Sequence, residues 1–233
     1  PATIGRKMNP LPVLLFAAGF GTRMGPLTRD KPKPMVKVAG LPLIDHALNL
    51  LTEANTPKVV NLHYKAEILR DHLAGRDIQF SDESDAILET GGGLRRALPL
   101  LGKSVVATLN TDAIWQGVNP IETLMNAWRP EMEALLLTVS KDRAIGHKGA
   151  GDFNADTNGR LTRGAGEIYT GLQIVRTDDL VNIPEDAFSM NVLWNRIAER
   201  GGLYGASFSG RWCDVGQPES IALAEQMLGE TDV

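Results

Sequence analysis

Short apolar runs at 13–17, 58–62, 104–110 and 133–140 alternate with longer stretches whose apolar residues recur at helical spacing. Leu43, Ile44, Ala47, Leu48, Leu51 and Ala54 fall on one helical face, and Ala66, Ile68, Leu69 and Leu73 mark a second helix. Strand-like residues at 77–81 precede a helix that opens behind the glycines at 91–93. Pro120 sits in the first turn of a helix over 120–128. This β-α-β-α order predicts an α/β fold, a mostly parallel sheet covered on both faces by helices. From 141 the sequence becomes broken and glycine-rich, with short strands near 160–163 and 168–175. It reads as a β-rich insertion over 141–175 at one end of the sheet. Helices at 189–200 and 217–228 and strands at 203–208 and 211–215 close the fold. A chain of 233 residues suits one domain, 1–233, with 1–10 as a flexible end.

Formal charge is −4, so nothing global marks a nucleic-acid binder and any cationic site must be local. The single cysteine, Cys213, excludes an internal disulfide and fits a reducing cytosol. No apolar run approaches the roughly 20 residues of a membrane span. The expectation is a cytoplasmic protein without membrane or nucleic-acid partners, a monomer or weak homodimer.

Local positive charge gathers at 14–35, LLFAAGFGTRMGPLTRDKPKPM, directly after the first strand. A glycine-rich turn there suits an anion, because clustered N–H dipoles meet it. The Walker pattern is absent, since no Gly-Lys-Ser/Thr opens a helix. The dinucleotide fingerprint also fails: Gly25 comes one place late after Gly19 and Gly21, and Pro26, Pro32 and Pro34 prevent the helix. What remains is a proline-stiffened loop carrying Arg23 and Lys33, suited to a polyphosphate whose charge rises during reaction.

The segment AAGFGTRMGPLTRDKPKPMVKVAGLPLI resembles the signature of sugar-1-phosphate nucleotidylyltransferases, in which AAG-x-G-T-R is followed by P-K-P and V-x-G-x-P. The likeness continues through ETGGGL (89–94), NTD (110–112), GDF (151–153), YTGLQI (169–174) and WCDVGQPE (212–219). The resemblance implies a glycosyltransferase-A-like, Rossmann-like sheet and transfer of a nucleotidyl group from an NTP to a sugar-1-phosphate, both small-molecule substrates. Uridylyl transfer to N-acetylmuramate-1-phosphate is the first expectation and guanylyl transfer to mannose-1-phosphate the second.

By the same resemblance, backbone N–H groups of Ala18, Gly19, Phe20 and Gly21 hold the triphosphate, with Ala17 and Thr22 beside them. Arg23 contacts the outer phosphates, and Lys33 contacts the α-phosphate and the incoming sugar phosphate. Asp112 and Asp214, each at a strand end, would hold Mg²⁺; read alone, either also fits a cap or turn. Glu89, Thr90 and Gly91 match the base-recognition loop, and Asn110 would orient Asp112 or the ribose. Gly151, Asp152, Thr170, Gly171 and Gln173 match motifs lining the sugar pocket, which Asn191 could also reach. The Glu-Lys-Pro segment of many larger relatives is absent, so the sugar stays open. An N-acetylmuramyl acceptor carries a carboxylate, which Lys148, Arg160 or Arg163 is expected to meet. Glu83 and Asp85 read as solvated turn residues, His63 as structural and Cys213 as an inert buried thiol. The rival readings are a non-catalytic nucleotide-sugar sensor and a dinucleotide-dependent oxidoreductase.

Overall fold

The computed structural model describes residues 10–53 and 55–230. The flexible end expected over 1–10 therefore lies outside the described residues except for Pro10, as does Ala54.

Strands β1 (Val13–Phe16), β2 (Lys37–Val38), β3 (Leu41–Pro42), β4 (Lys58–Leu62), β5 (Gln79–Asp82), β6 (Val105–Asn110) and β7 (Ala113–Gln116) make up the first half. Helices α1 (Leu43–Asn49), α2 (Ala66–His72) and α3 (Glu89–Leu101) connect them. Then come α4 (Pro120–Ala127), β8 (Ala134–Val139), β9 (Ala144–Ile145), β10 (Phe153–Ala155), β11 (Leu161–Arg163) and β12 (Ile168–Arg176). The chain continues with α5 (Met190–Glu199), β13 (Leu203–Ser207), β14 (Arg211–Asp214) and α6 (Pro218–Gly229). Asn119 starts α4 by accepting the Ile121 and Glu122 N–H groups, with Pro120 filling a first-turn position that needs no donor.

A seven-stranded sheet runs β13-β8-β12-β6-β1-β4-β5. Its pairs are parallel except that β12 is antiparallel to both β6 and β8. Alternate residues of each strand serve opposite faces. Leu15, Val60, Ala107 and Leu135 pack with α1, α2 and α4, while Leu14, Val59, Val106 and Ala134 pack with α3 and α5. A small sheet, β7-β14-β9, lies beside it, and its Ile114 and Cys213 pack with Ala224 and Met227 of α6.

The α/β class and mostly parallel sheet expected from the sequence are present. The insertion expected over 141–175 is narrower. Residues 168–176 form β12, a central strand buried along most of its length, and β9 joins the small sheet. The antiparallel β10–β11 hairpin stays outside the seven-stranded sheet, with its Phe153 and Leu161 buried in the core beside α5 and β13. Helix α1 ends at Asn49, before the predicted 54, and Leu50 and Leu51 continue in tight turns onto Ala47 and Leu48.

Candidate active site

The carboxyl ends of β1, β4 and β6 open onto a cleft of about 270 Å³ lined by residues from Phe16–Phe20, Lys33, Asn61, His63, Glu83 and Asn110–Asp112. Thr111 Oγ1 donates to the Phe16 carbonyl at 2.7 Å, tying the ends of β6 and β1 together. Beyond Gly21 the chain forms 3₁₀ turns at Thr22–Thr28 and Lys33–Met35, consistent with prolines that forbid a long helix. Gly21 has φ +64°, and a Cβ there would lie 2.8 Å from Lys33 Cβ. Thr28 Oγ1 closes the same loop on the Gly21 carbonyl at 2.9 Å.

The start of the loop has a partner that sequence reading missed. Asn61, buried on β4, accepts the Ala17 N–H at 2.6 Å and the Ala18 N–H at 3.2 Å. Those two donors are therefore committed within the protein, which for Ala18 is a correction to its expected role as a phosphate donor. The Gly19 and Phe20 N–H groups have no acceptor among the described residues.

Lys33 Nζ lies 2.6 Å from Asp112 Oδ2, with the lysine side chain 12% and the aspartate side chain 29% exposed. Asp112 also accepts the Val215 N–H on its backbone carbonyl at 2.7 Å. Antiparallel pairing of Asp214 with Ala113 brings the second aspartate alongside. A Cβ on Gly216 would meet Asp214 Oδ2 at 3.1 Å and Arg23 Nη1 at 3.3 Å, so the Arg23 guanidinium and Asp214 flank that glycine. Burial pushes the Asp214 carboxyl up, as does the Asp112 charge, while Lys33, Arg23 and His147 pull it down. Two carboxylates that repel each other across a cleft edge suit a hard divalent cation completed by phosphate oxygens and water. Among the described residues no group of three or more His, Cys, Asp or Glu side chains could hold a metal by itself.

The other end of the cleft is aromatic and apolar. Phe20 meets His63 edge-on at 5.0 Å, and Ile87 is 63% exposed beside Leu88. His63 Nδ1 is buried without a partner among the described residues. Glu83 is only 3% exposed rather than a solvated turn residue, and its Oε1 accepts from Asn61 Nδ2 at 2.9 Å. Burial pushes its carboxyl up, and the Asn61 bond opposes that only in part. Asp85, by contrast, stays exposed and pairs with Arg96 at 2.6 Å. Glu89 borders the cleft with φ +59°, a backbone conformation that L-residues adopt at a cost.

The three glycines lie inside α3. A Cβ on Gly91 would strike the Phe188 ring at 2.4 Å, one on Gly92 the Asp186 carbonyl at 2.5 Å, and one on Gly93 Glu83 Oε1 at 2.7 Å. Gly91 is therefore a packing residue outside the cleft wall, a correction to its expected base contact. Thr90 lines the cleft, yet its Oγ1 accepts the Met190 N–H at 2.9 Å at the start of α5.

The residues expected at the sugar divide. Thr170 is buried and donates to the Leu137 carbonyl at 2.7 Å. Gln173, fully buried, donates to Thr108 Oγ1 at 3.0 Å and accepts from Trp194 Nε1 at 2.8 Å. Both side chains are used up inside the sheet, because β12 is central, and the structure corrects their sugar-binding role. Gly171 lies at a register shift of β12, where a Cβ would meet the Asn110 side chain at 2.7 Å. Gly151 has φ +108° and abuts the Gly166 carbonyl. Asp152 and Asn191 remain exposed. Asp152 Oδ2 accepts the Tyr169 N–H at 2.8 Å, and Asn191 Oδ1 accepts from Arg163 at 2.6 Å.

A mostly parallel sheet with a glycine loop at its carboxyl edge, and Lys33, Asp112 and Asp214 gathered beside that loop, is an arrangement suited to nucleotidyl transfer. Residues 13–206 match the MobA-like NTP transferase domain, and the chain belongs to that family. It is 38% identical to the N-acetylmuramate alpha-1-phosphate uridylyltransferase of Caulobacter vibrioides, covering 93% of this chain and 96% of that protein. It is 28% identical to the mannose-1-phosphate guanyltransferase of Hypocrea jecorina, over 89% of this chain but 61% of that longer protein. The crystal structure of HddC from Yersinia pseudotuberculosis, complexed with GMP-PN, superimposes with a TM-score of 0.75. It covers 94% of this chain and 99% of that one at 21% identity, a likeness of fold.

Proposed function

We propose that the protein transfers a uridylyl group from UTP to N-acetylmuramate-1-phosphate, giving the UDP-sugar and pyrophosphate. The observation that carries this reading is the near full-length 38% identity to an enzyme of that name, together with the charged set Arg23, Lys33, Asp112 and Asp214 gathered at one cleft edge.

A phosphate monoester is largely ionised at neutral pH, its second pKa lying near about 6, so the attacking oxygen needs no general base. The barrier lies in bringing anions together, which calls for positioning and positive charge. In this reading the free N–H groups of Gly19 and Phe20, with Gly21 and Thr22, receive the triphosphate. Arg23 stabilises the departing pyrophosphate, and Lys33 stabilises the α-phosphate as the sugar phosphate arrives. Asp112 and Asp214 would hold Mg²⁺, which when bound neutralises charge on the phosphate oxygens. Phe20, His63, Ile87 and Leu88 offer faces for the base, and Asn110, Glu83, Glu89 and Thr90 border it. Asp152 and Asn191 stand on the sugar side.

The test is pyrophosphate release with Mg²⁺ across UTP, GTP, dTTP and CTP against N-acetylmuramate-, N-acetylglucosamine-, mannose- and glucose-1-phosphate. The expected result is one preferred pair, UTP with N-acetylmuramate-1-phosphate, lost in Lys33→Ala. Preference for GTP with mannose-1-phosphate would replace the substrate assignment, and no turnover with nucleotide still bound would favour a sensor.

A further inference from the structure

The wall of the site continues past Asn110 along a chain of contacts. Gly171 packs on Asn110. Tyr169, earlier on the same strand, donates its N–H to Asp152 and meets the Trp194 ring edge-on at 4.9 Å. Phe153 meets Trp194 at 6.0 Å, and its partner across the β10–β11 hairpin is Arg163.

Arg163 is unlike the other basic residues of this region. Its guanidinium lies over the Phe153 ring at 4.7 Å and the Trp194 ring at 5.7 Å. One terminal nitrogen donates to Asn191 Oδ1 at 2.6 Å and Asn195 Oδ1 at 3.2 Å. Both acceptors are neutral amides, and among the described residues no carboxylate pairs with it. Arg160 instead donates to Tyr204 Oη at 3.2 Å and packs on that ring, at the β13 edge of the sheet. Lys148 is exposed beside His147. A planar cation oriented by two aromatic faces and two amides, with its charge uncompensated, is preorganised for a carboxylate.

We propose that Arg163 is the specificity residue for an acidic sugar phosphate, its guanidinium receiving a carboxylate carried on the sugar. Asn191 and Asn195 act on that carboxylate only through Arg163, as positioning residues. The assignment rests on the muramyl reading above and narrows it to one side chain.

The test pairs a change in the protein with the matching change in the substrate. Wild type and Arg163→Met are assayed with N-acetylmuramate-1-phosphate and with its methyl ester, which lacks the negative carboxylate. Arg160→Met serves as the control, and thermal melts verify folding. Wild type and the control are expected to favour the acid by about tenfold or more in kcat/KM, expressed mainly in KM for the sugar. Arg163→Met should treat acid and ester alike, while KM for UTP stays within about twofold of wild type. If Arg163→Met keeps the preference for the acid, the inference fails and the muramyl reading stands. Equal use of both by wild type likewise overturns the inference alone. If wild type turns over neither but accepts another sugar phosphate, the muramyl reading fails and the inference with it.

Discussion

Asn61 Oδ1 accepts the Ala17 N–H at 2.6 Å, a bond between residues 44 apart that fixes where the glycine loop leaves β1. The same amide gives its Nδ2 hydrogen to Glu83, so one side chain joins the loop to the floor of the cleft. Asn61→Ala should leave buried donors and an acceptor unmatched, at about 1–3 kcal/mol. We expect a lower melting temperature and a raised KM for the NTP. A variant that melts early but keeps wild-type KM would show that the bond holds the fold and not the loop.

Gly19 and Gly91 separate ligand approach from packing. A Cβ on Gly19 would meet nothing within 4 Å, whereas one on Gly91 would strike the Phe188 ring at 2.4 Å. Gly91→Ala should therefore lower stability by about 1–3 kcal/mol through overpacking. Gly19→Ala should melt like wild type and yet bind NTP at least about tenfold more weakly, if the backbone there touches phosphate. Calorimetry and nucleotide titration on both variants check the pair.

Glu83 sets a pH dependence of stability. Because its carboxyl is pushed up from 4.5 in the folded state, the native protein holds a proton there that the unfolded chain has released. Stability from this group is thus complete below 4.5 and falls as pH rises through the folded value. Glu83→Gln keeps the Asn61 contact and cannot ionise. It should be more stable than wild type at neutral pH, with the gap closing as pH falls toward 4.5. Paired melts from pH 5 to 8 measure it, and a gap independent of pH would contradict the assignment.

Lys33 and Asp112 touch at 2.6 Å but are expected to fail differently. Lys33→Met should lower kcat by about a hundredfold or more with NTP binding largely kept, as for loss of a charge that acts on the transition state. Asp112→Asn should raise the Mg²⁺ concentration needed for half-maximal rate, as should Asp214→Asn. Chelation with EDTA should abolish turnover in wild type and be reversed by added Mg²⁺.

Legibility in the sequence followed the range of the interactions. The alternation of β1, α1, β4 and α2 is local hydrophobic periodicity and could be read directly. The proline-broken loop was legible for a similar reason, since its prolines and glycines are neighbours in sequence. Glu83 looked like a turn carboxylate because nothing near it in sequence reveals the Asn61 and Gly93 that enclose it. The glycines of α3 looked like loop, yet each is there for a neighbour around position 186–188 or at Glu83. Residues 168–175 looked inserted because they follow a glycine-rich stretch, although an almost unbroken buried run of that length was a signal for a central strand. Thr170 and Gln173 were misplaced with it.

The bond from Val215 N–H to the Asp112 carbonyl has a consequence for how the protein comes into being. Strands β1, β4, β5 and β6 all lie within residues 13–110 and are made early, whereas the 90–92 turn of α3 packs on residues 186–190 of the last third. The carboxylate pair cannot form then, because Asp214 lies downstream even of the 13–206 span that matches the family. The two aspartates come alongside each other only when β14 docks against β7.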